Sequence, residues 1–243
     1  MKKRVLIGAV LWMSCVAYAD NAPHWTYSGA EGAASWAKLS PEFSACGGKN
    51  QSPINLTGFI EADLAPISFS YQPGGQEILN NGHTVQVNYA EGSSITVDGV
   101  PFVLKQFHFH APSENQINGK SYPMEAHLVH ADKDGNLAVI GIMIEEGTEN
   151  KALAGAWAKI PKSAGAPVAL ADRVMAEGLL PSNRDYYRFN GSLTTPPCSE
   201  GVRWLVMKNT ITASKQQIDA FKQVLHEPNN RPVQPVYARP VLQ

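Results

Sequence analysis

Apolar and polar side chains alternate strictly from Gln106 to His110. A strand there turns Phe107 and Phe109 into a core and presents Gln106, His108 and His110 on the opposite face. Residues 121–132 read as the next strand and align Glu125, His127 and Val129 on one face. Residues 101–111, 121–132 and 137–145 are therefore expected to supply the central strands of a sheet, with Asp134-Gly135 as the turn into the last. Ahead of them, short β-prone runs at 67–71, 84–89 and 94–97 are punctuated by Pro73-Gly74-Gly75, Asn81-Gly82 and Asp98-Gly99, the turn chemistry of a meander. Helices are expected after Glu149 and after Ser214. Residues 24–49 hold no sustained period and read as a surface-wrapping segment with short helical turns near residues 35–38. The pattern predicts a mainly β fold with minor helix, a single domain on a large, mostly antiparallel sheet.

Composition adds the compartment. Lys2, Lys3 and Arg4 precede an apolar run from Val5 to Val16 that ends in Ala17-Tyr18-Ala19, the layout of a cleaved signal peptide over residues 1–19. The run is shorter than the ~20 residues a membrane span needs. Residues 20–243 are thus expected as one soluble domain, periplasmic or secreted; lipid attachment at Cys15 is the alternative. Losing the three basic residues takes the net charge from −1 to −4, which implies no nucleic acid or other polyanion as partner. A hydrophobic content of 44% is enough for one sizeable core. After cleavage Cys46 and Cys198 remain, and an oxidising compartment favours a disulfide between them over two buried thiols.

Two imidazoles side by side on a strand form a metal pincer. A third, His127, lies about one hairpin away, and the set leaves zinc with three nitrogens and one open position, as a catalytic site requires. A structural zinc would recruit cysteines, and none lies near these strands in sequence. Taken singly, each histidine reads more readily as a structural residue; the spacing of the set points to a metal. His24, His130 and His226 lack ligand spacing and are read as structural.

With these residues in view, the chain resembles an alpha-class carbonic anhydrase of the bacterial, exported kind. Similar signatures run along most of it: residues 24–27, 51–54, Asn80-Asn81-Gly82-His83, 106–110, Ser113-Glu114, Glu125-Ala126-His127, 191–197 and 229–235. The resemblance implies a twisted sheet of about ten strands and the bridge between Cys46 and Cys198. It also implies cis peptide bonds at Ser52-Pro53 and Pro196-Pro197. The implied activity is reversible hydration of carbon dioxide to bicarbonate and a proton, by zinc-hydroxide attack, with one zinc per chain. Carbon dioxide, water and bicarbonate are then the small-molecule partners, and the assembly is a monomer or homodimer. The nearest rival enzyme is a zinc hydrolase, since small esters would meet the same nucleophile as a side activity. A silent binding module on the same fold would lack a ligand histidine, and none is missing here.

Roles follow from the same resemblance. His108, His110 and His127 hold the zinc, while Gln106 orients His108, Glu125 orients His127 and the Asn229 carbonyl orients His110, because a ligand histidine needs its second nitrogen fixed. Thr194 donates to Glu114 and so must accept from the nucleophile. Val129, Val139, Leu193, Val202 and Trp204 form the apolar wall, with Thr195 beside them. His83 is the proton shuttle: a group of pKa about 7 loses its proton to bulk water at only ~10³ s⁻¹, far below the ~10⁶ s⁻¹ known for this family, which is a standard reference system for metal-activated water. Asn115 stands where some relatives carry histidine, and no consequence for zinc is expected from it.

Overall fold

The computed structural model describes residues 23–243. The predicted signal peptide lies outside the described residues. Among the described residues, thirteen strands run in chain order: β1 (Asn55–Leu56), β2 (Ser68–Ser70), β3 (Gly75–Asn80), β4 (Val85–Tyr89), β5 (Ser94–Val97), β6 (Val100–His110), β7 (Gln116–Ile117), β8 (Met124–Ala131), β9 (Leu137–Glu146), β10 (Val168–Val174), β11 (Tyr186–Ser192), β12 (Glu200–Met207) and β13 (Ile211–Ala213). Three α-helices accompany them among the described residues: α1 (Trp36–Leu39), α2 (Lys151–Trp157) and α3 (Lys215–Leu225). Eleven strands form one sheet with the path β10-β3-β4-β6-β8-β9-β12-β11. The expected central strands occupy its middle.

The sheet is mixed rather than purely antiparallel, because β12 and β13 both run parallel to β9. The meander also needs correcting. Asn81-Gly82 joins β3 to β4 and Asp98-Gly99 joins β5 to β6, but Pro73-Gly74 joins no hairpin, since β2 pairs with β5 instead of β3. Asn150, not Glu149, caps α2 by accepting from the Ala152 amide, and Ser214 with Gln217 forms a capping box on α3.

β6 is long enough to take two neighbours on one side, β5 over Val100–Val103 and β4 over Gln106–His108. Between the two, its register against β8 shifts: Leu104 faces His130, yet Gln106 faces Val129. Lys105 is the extra residue of a bulge. It re-phases the alternation, so Leu104 and Phe107 both enter one core while Gln106 and His108 keep the other face. Phe107 and Phe109 are fully buried in that core, each stabilising it by roughly 1.5–3 kcal/mol. Trp157 of α2 meets Phe109 edge-on with centroids 4.9 Å apart, and Phe221 of α3 packs beside it.

The opposite face carries a second cluster of Val139, Val202 and Trp204, with Val129 and Leu193 against it. A third, smaller cluster gathers Trp36 and Phe43 of the amino-terminal segment around Cys46 and Cys198, which are joined in a disulfide. Ser52-Pro53 and Pro196-Pro197 are cis as expected, and so is Ala111-Pro112. Among the described residues, no helix is long and apolar enough to cross a membrane.

Candidate metal centre and its cavity

Strand register brings the ligand candidates together. His108 of β6 lies directly opposite His127 of β8, and His110 opposite Glu125, so all three histidines project from one face of two adjacent strands. One nitrogen from each lies within 4.8 Å of the others, in an otherwise buried setting. The second nitrogens are anchored as expected. His108 Nδ1 sits 2.8 Å from Gln106 Oε1, and His110 Nδ1 donates to the Asn229 carbonyl at 2.6 Å. His127 Nε2 is 2.9 Å from Glu125 Oε1, but the contact is off the N–H axis and makes no well-formed hydrogen bond. The distance sets the pairing; alignment would need a small ring rotation.

The donor set fits zinc. His110 Nε2 and Glu114 Oε2 are buried without partners, 3.4 Å apart, and Glu114 Oε2 is 4.0 Å from His127 Nδ1. Unsatisfied buried groups of this kind are costly, and a cation among the three inward nitrogens would satisfy His110 Nε2 and sit beside the Glu114 charge. Three nitrogens around tetrahedral zinc sit about 3.3 Å apart for bonds of about 2.05 Å, so modest side-chain closure completes the site.

Burial and neighbouring charges set the titration of these groups. Burial, reinforced by the neighbouring imidazoles, holds His108 and His110 well below the usual range and keeps them neutral, as ligands must be. For His127 burial also acts downward, but the negative charges of Glu125, in contact at 2.9 Å, and of Glu114 outweigh it and the net direction is up. Burial raises Glu114 to about 7 despite the opposing His127 charge, the Arg231 amide and the Thr194 hydroxyl.

Glu114 Oε1 accepts the Arg231 amide at 2.9 Å. The Thr194 hydroxyl is close enough to favour the charged carboxylate, yet Oε2 remains unpartnered, so the expected relay is approached rather than closed. Arg231 itself is buried: its guanidinium donates to Gln51 Oε1, to the Ser52 carbonyl and to the Cys46 carbonyl. The disulfide, the 191–197 loop and the site are thereby tied into one block.

Two unlike walls meet here. Val129, Val139 and Trp204 lie in one row across β8, β9 and β12, with Val202 two residues along and Leu193 alongside. The Trp204 ring meets His127 edge-on at 4.8 Å. Opposite this apolar row, a cavity of about 130 Å³ is lined by Trp25, Tyr27, Asn81, His83, Thr84, Gln86, Gln106, His108, His110 and Thr195. His83 stacks flat on Trp25 with centroids 3.6 Å apart. Burial and the charge of His24 lower its pKa, with Glu227 opposing, which leaves it neutral at pH 7. Sequence reading missed Trp25, Tyr27, Thr84, Gln86 and Arg231 as site residues. Gln86 was within reach, since it pairs with His108 and alternation in β4 sets its face. His130 is structural as expected, buried between Tyr71 and the Ala138 carbonyl.

A large mixed sheet with three histidines converging on its mid-strands, beside an apolar wall and a polar cavity, is a β protein whose site could hold one metal ion. The family model for eukaryotic-type carbonic anhydrase matches residues 31–243. A carbonic anhydrase of Pectobacterium atrosepticum is 47% identical over 243 residues, covering 100% of both chains. One from Neisseria gonorrhoeae is 46% identical over 241 residues, covering 97% of this chain and 95% of its own. The solved alpha-carbonic anhydrase of Thermovibrio ammonificans, in complex with the inhibitor sulfanilamide, superposes with a TM-score of 0.90 at 49% identity, covering 91% of this chain and 100% of that one. The chain belongs to the alpha-class, or eukaryotic-type, carbonic anhydrase family.

Proposed function

We propose that this chain catalyses the reversible, zinc-dependent hydration of carbon dioxide to bicarbonate and a proton. The observation that carries the reading is the convergence of three imidazole nitrogens within 4.8 Å beside an apolar wall. His108, His110 and His127 would hold the metal. Zinc on three neutral imidazoles supplies Lewis acidity, enough to make water nucleophilic near pH 7.

The chain's own residues do the rest. Gln106, Glu125 and the Asn229 carbonyl hold the ligand rings in orientation. Thr194, by donating to Glu114, leaves its own oxygen as an acceptor and so selects the orientation of the attacking group. Val129, Val139, Leu193, Val202 and Trp204 exclude water and offer carbon dioxide, which has no charge or net dipole, a weakly binding surface that does not oppose turnover. Thr195 borders the cavity through which the released proton leaves. His83, neutral at pH 7 and facing the same cavity as His108 and His110, accepts that proton and passes it to solvent. Small esters are attacked as a side reaction.

We further propose that residues 1–19 direct export and that the protein works in the periplasm or outside the cell. The Cys46–Cys198 disulfide and the bacterial relatives support this reading. The test of function is a stopped-flow carbon dioxide hydration assay on purified protein, before and after chelation. Activity should disappear with the metal and return with added zinc. Undiminished hydration after complete metal removal, or none from fully loaded protein, would refute it.

A further inference from the structure

We infer that Asn115 is a positioning residue for the third metal ligand: its carboxamide and its own main-chain amide clasp Glu125 and so fix the ring of His127. The inference rests on reading His108, His110 and His127 as a metal centre. It revises the expectation that residue 115 has no consequence for zinc.

A carboxylate offers about four lone-pair sites; on Glu125 three accept hydrogen bonds and the remaining one faces His127. Oε2 accepts the amides of Glu114 and Asn115, each at 2.8 Å. Oε1 accepts Asn115 Nδ2 at 2.8 Å and faces His127 Nε2 at 2.9 Å. The two main-chain donors hold only Oε2. Nδ2 alone holds Oε1, and Oε1 is the oxygen that meets the ligand. Remove that donor and the carboxylate can turn about its terminal bond, carrying away the contact that sets the His127 ring.

One residue gripping both oxygens works as an arginine fork would. It does so without placing a permanent positive charge beside a cation site. The amide orientation is independently set, because Asn115 Oδ1 accepts the Ile54 amide at 3.1 Å and Nδ2 must then point to Glu125. The main chain is held too: the Asn115 carbonyl accepts Ser113 Oγ at 2.9 Å, and Ser113 Oγ accepts the Tyr122 amide at 2.9 Å. On the far side of Oε1 stands Gly141, opposite His127 in β9, where an added Cβ would come within 3.2 Å of that oxygen. Glycine there leaves Oε1 the room that a Cβ would crowd. Asn115 is fully buried, so no solvent donor can substitute for the carboxamide.

The experiment uses the full chain loaded with zinc, in wild type, Asn115→Ala, Asn115→Asp and Asn115→His. Two properties are read: the rate of zinc release to a chelator at pH 7.5, and the visible spectrum of the cobalt(II)-loaded protein. Loss of a group that orients a metal ligand costs ~10–100-fold in metal affinity. Acting through Glu125, Asn115→Ala should speed release by about 10-fold, and Asn115→Asp, which sets oxygen against oxygen, by more. The cobalt bands should shift in both. Asn115→His returns an N–H toward Oε1 and should bring release back towards the wild-type rate.

A role in stability alone would lower the melting temperature and leave release and spectrum within twofold of wild type in a folded Asn115→Ala protein; that result overturns the inference. If neither Asn115→Ala nor Asn115→Asp folds, Asn115→His decides: release within about threefold of wild type supports the donor, and release 10-fold faster overturns it. Wild-type protein that takes up no zinc would overturn the metal centre itself, which separates the two failures.

Discussion

His130 should make this protein lose stability in mild acid by an amount that one substitution removes. The imidazole is fully buried, with Nδ1 3.3 Å from the Ala138 carbonyl and Nε2 2.7 Å from the Tyr71 hydroxyl. Nδ1 therefore carries the proton and Nε2 accepts from Tyr71. Burial pushes the pKa down from 6.5 to about 4, with the backbone carbonyls only partly opposing. Above pH 6.5 the residue is neutral in both folded and unfolded chains and adds no pH dependence. Between 6.5 and about 4 the unfolded chain binds a proton that the folded chain does not, so stability falls as pH falls. Below about 4 both forms are charged and the slope vanishes.

The full loss is about 3.4 kcal/mol, from the fall of the pKa from 6.5 to about 4 at 1.36 kcal/mol per pH unit, and about 2.5 kcal/mol of it is expressed by pH 4.5. His130→Gln keeps one donor and one acceptor but cannot titrate. Urea unfolding of metal-free wild type and variant, at pH 7.5 and 4.5, reads the difference, because carboxylates and ligand histidines are common to both and cancel. The variant should be the less stable protein at pH 7.5, since its packing is imperfect, yet lose about 2.5 kcal/mol less than wild type on acidification. Equal losses, within about 0.5 kcal/mol, would show that His130 is not held neutral by its surroundings.

Four other outcomes follow from the site. His110→Ala removes one of three converging nitrogens and should leave well under one zinc per chain by metal analysis; full occupancy would sink the ligand assignment. Thr194→Ala should retain zinc while the hydration rate falls ~100-fold, the scale for losing one orienting group; an unchanged rate would mean the nucleophile needs no aiming. His83→Ala should slow turnover in dilute buffer, leave kcat/KM nearly intact and recover with added imidazole, and a mutant that matches wild type in weak buffer would remove the shuttle. Reducing Cys46–Cys198, which closes a loop of 152 residues, should lower stability by up to about 5 kcal/mol in denaturant titration, and no change on reduction would show that the loop is held by other contacts.

What the sequence determined by itself is what alternation and local spacing control. Period two along β6 and β8 separates Phe107 and Phe109 from His108 and His110, and the same period sets Gln106, Glu125 and Val129 beside the ligands on their own strands. Glycine turns mark where β3 meets β4 and β5 meets β6. These relations span a few residues, and backbone geometry fixes them wherever the strands end up. The larger motif set carried the family resemblance, including the pairing of Cys46 with Cys198. Tertiary structure decided the rest, because it depends on where distant segments land. The bulge at Lys105 exists only in the register of β6 against β8, which no local period specifies. Asn229 and Arg231 reach His110 and Glu114 across separations of 119 and 117 residues, and no local period encodes such a contact. Trp25 and Tyr27 enter the cavity because the amino-terminal segment wraps back over β4. The role of Asn115 emerges only when Ile54 and Glu125, both distant in sequence, take up its acceptor and its donor. A buried polar side chain is defined by its partners, and those partners come from the fold.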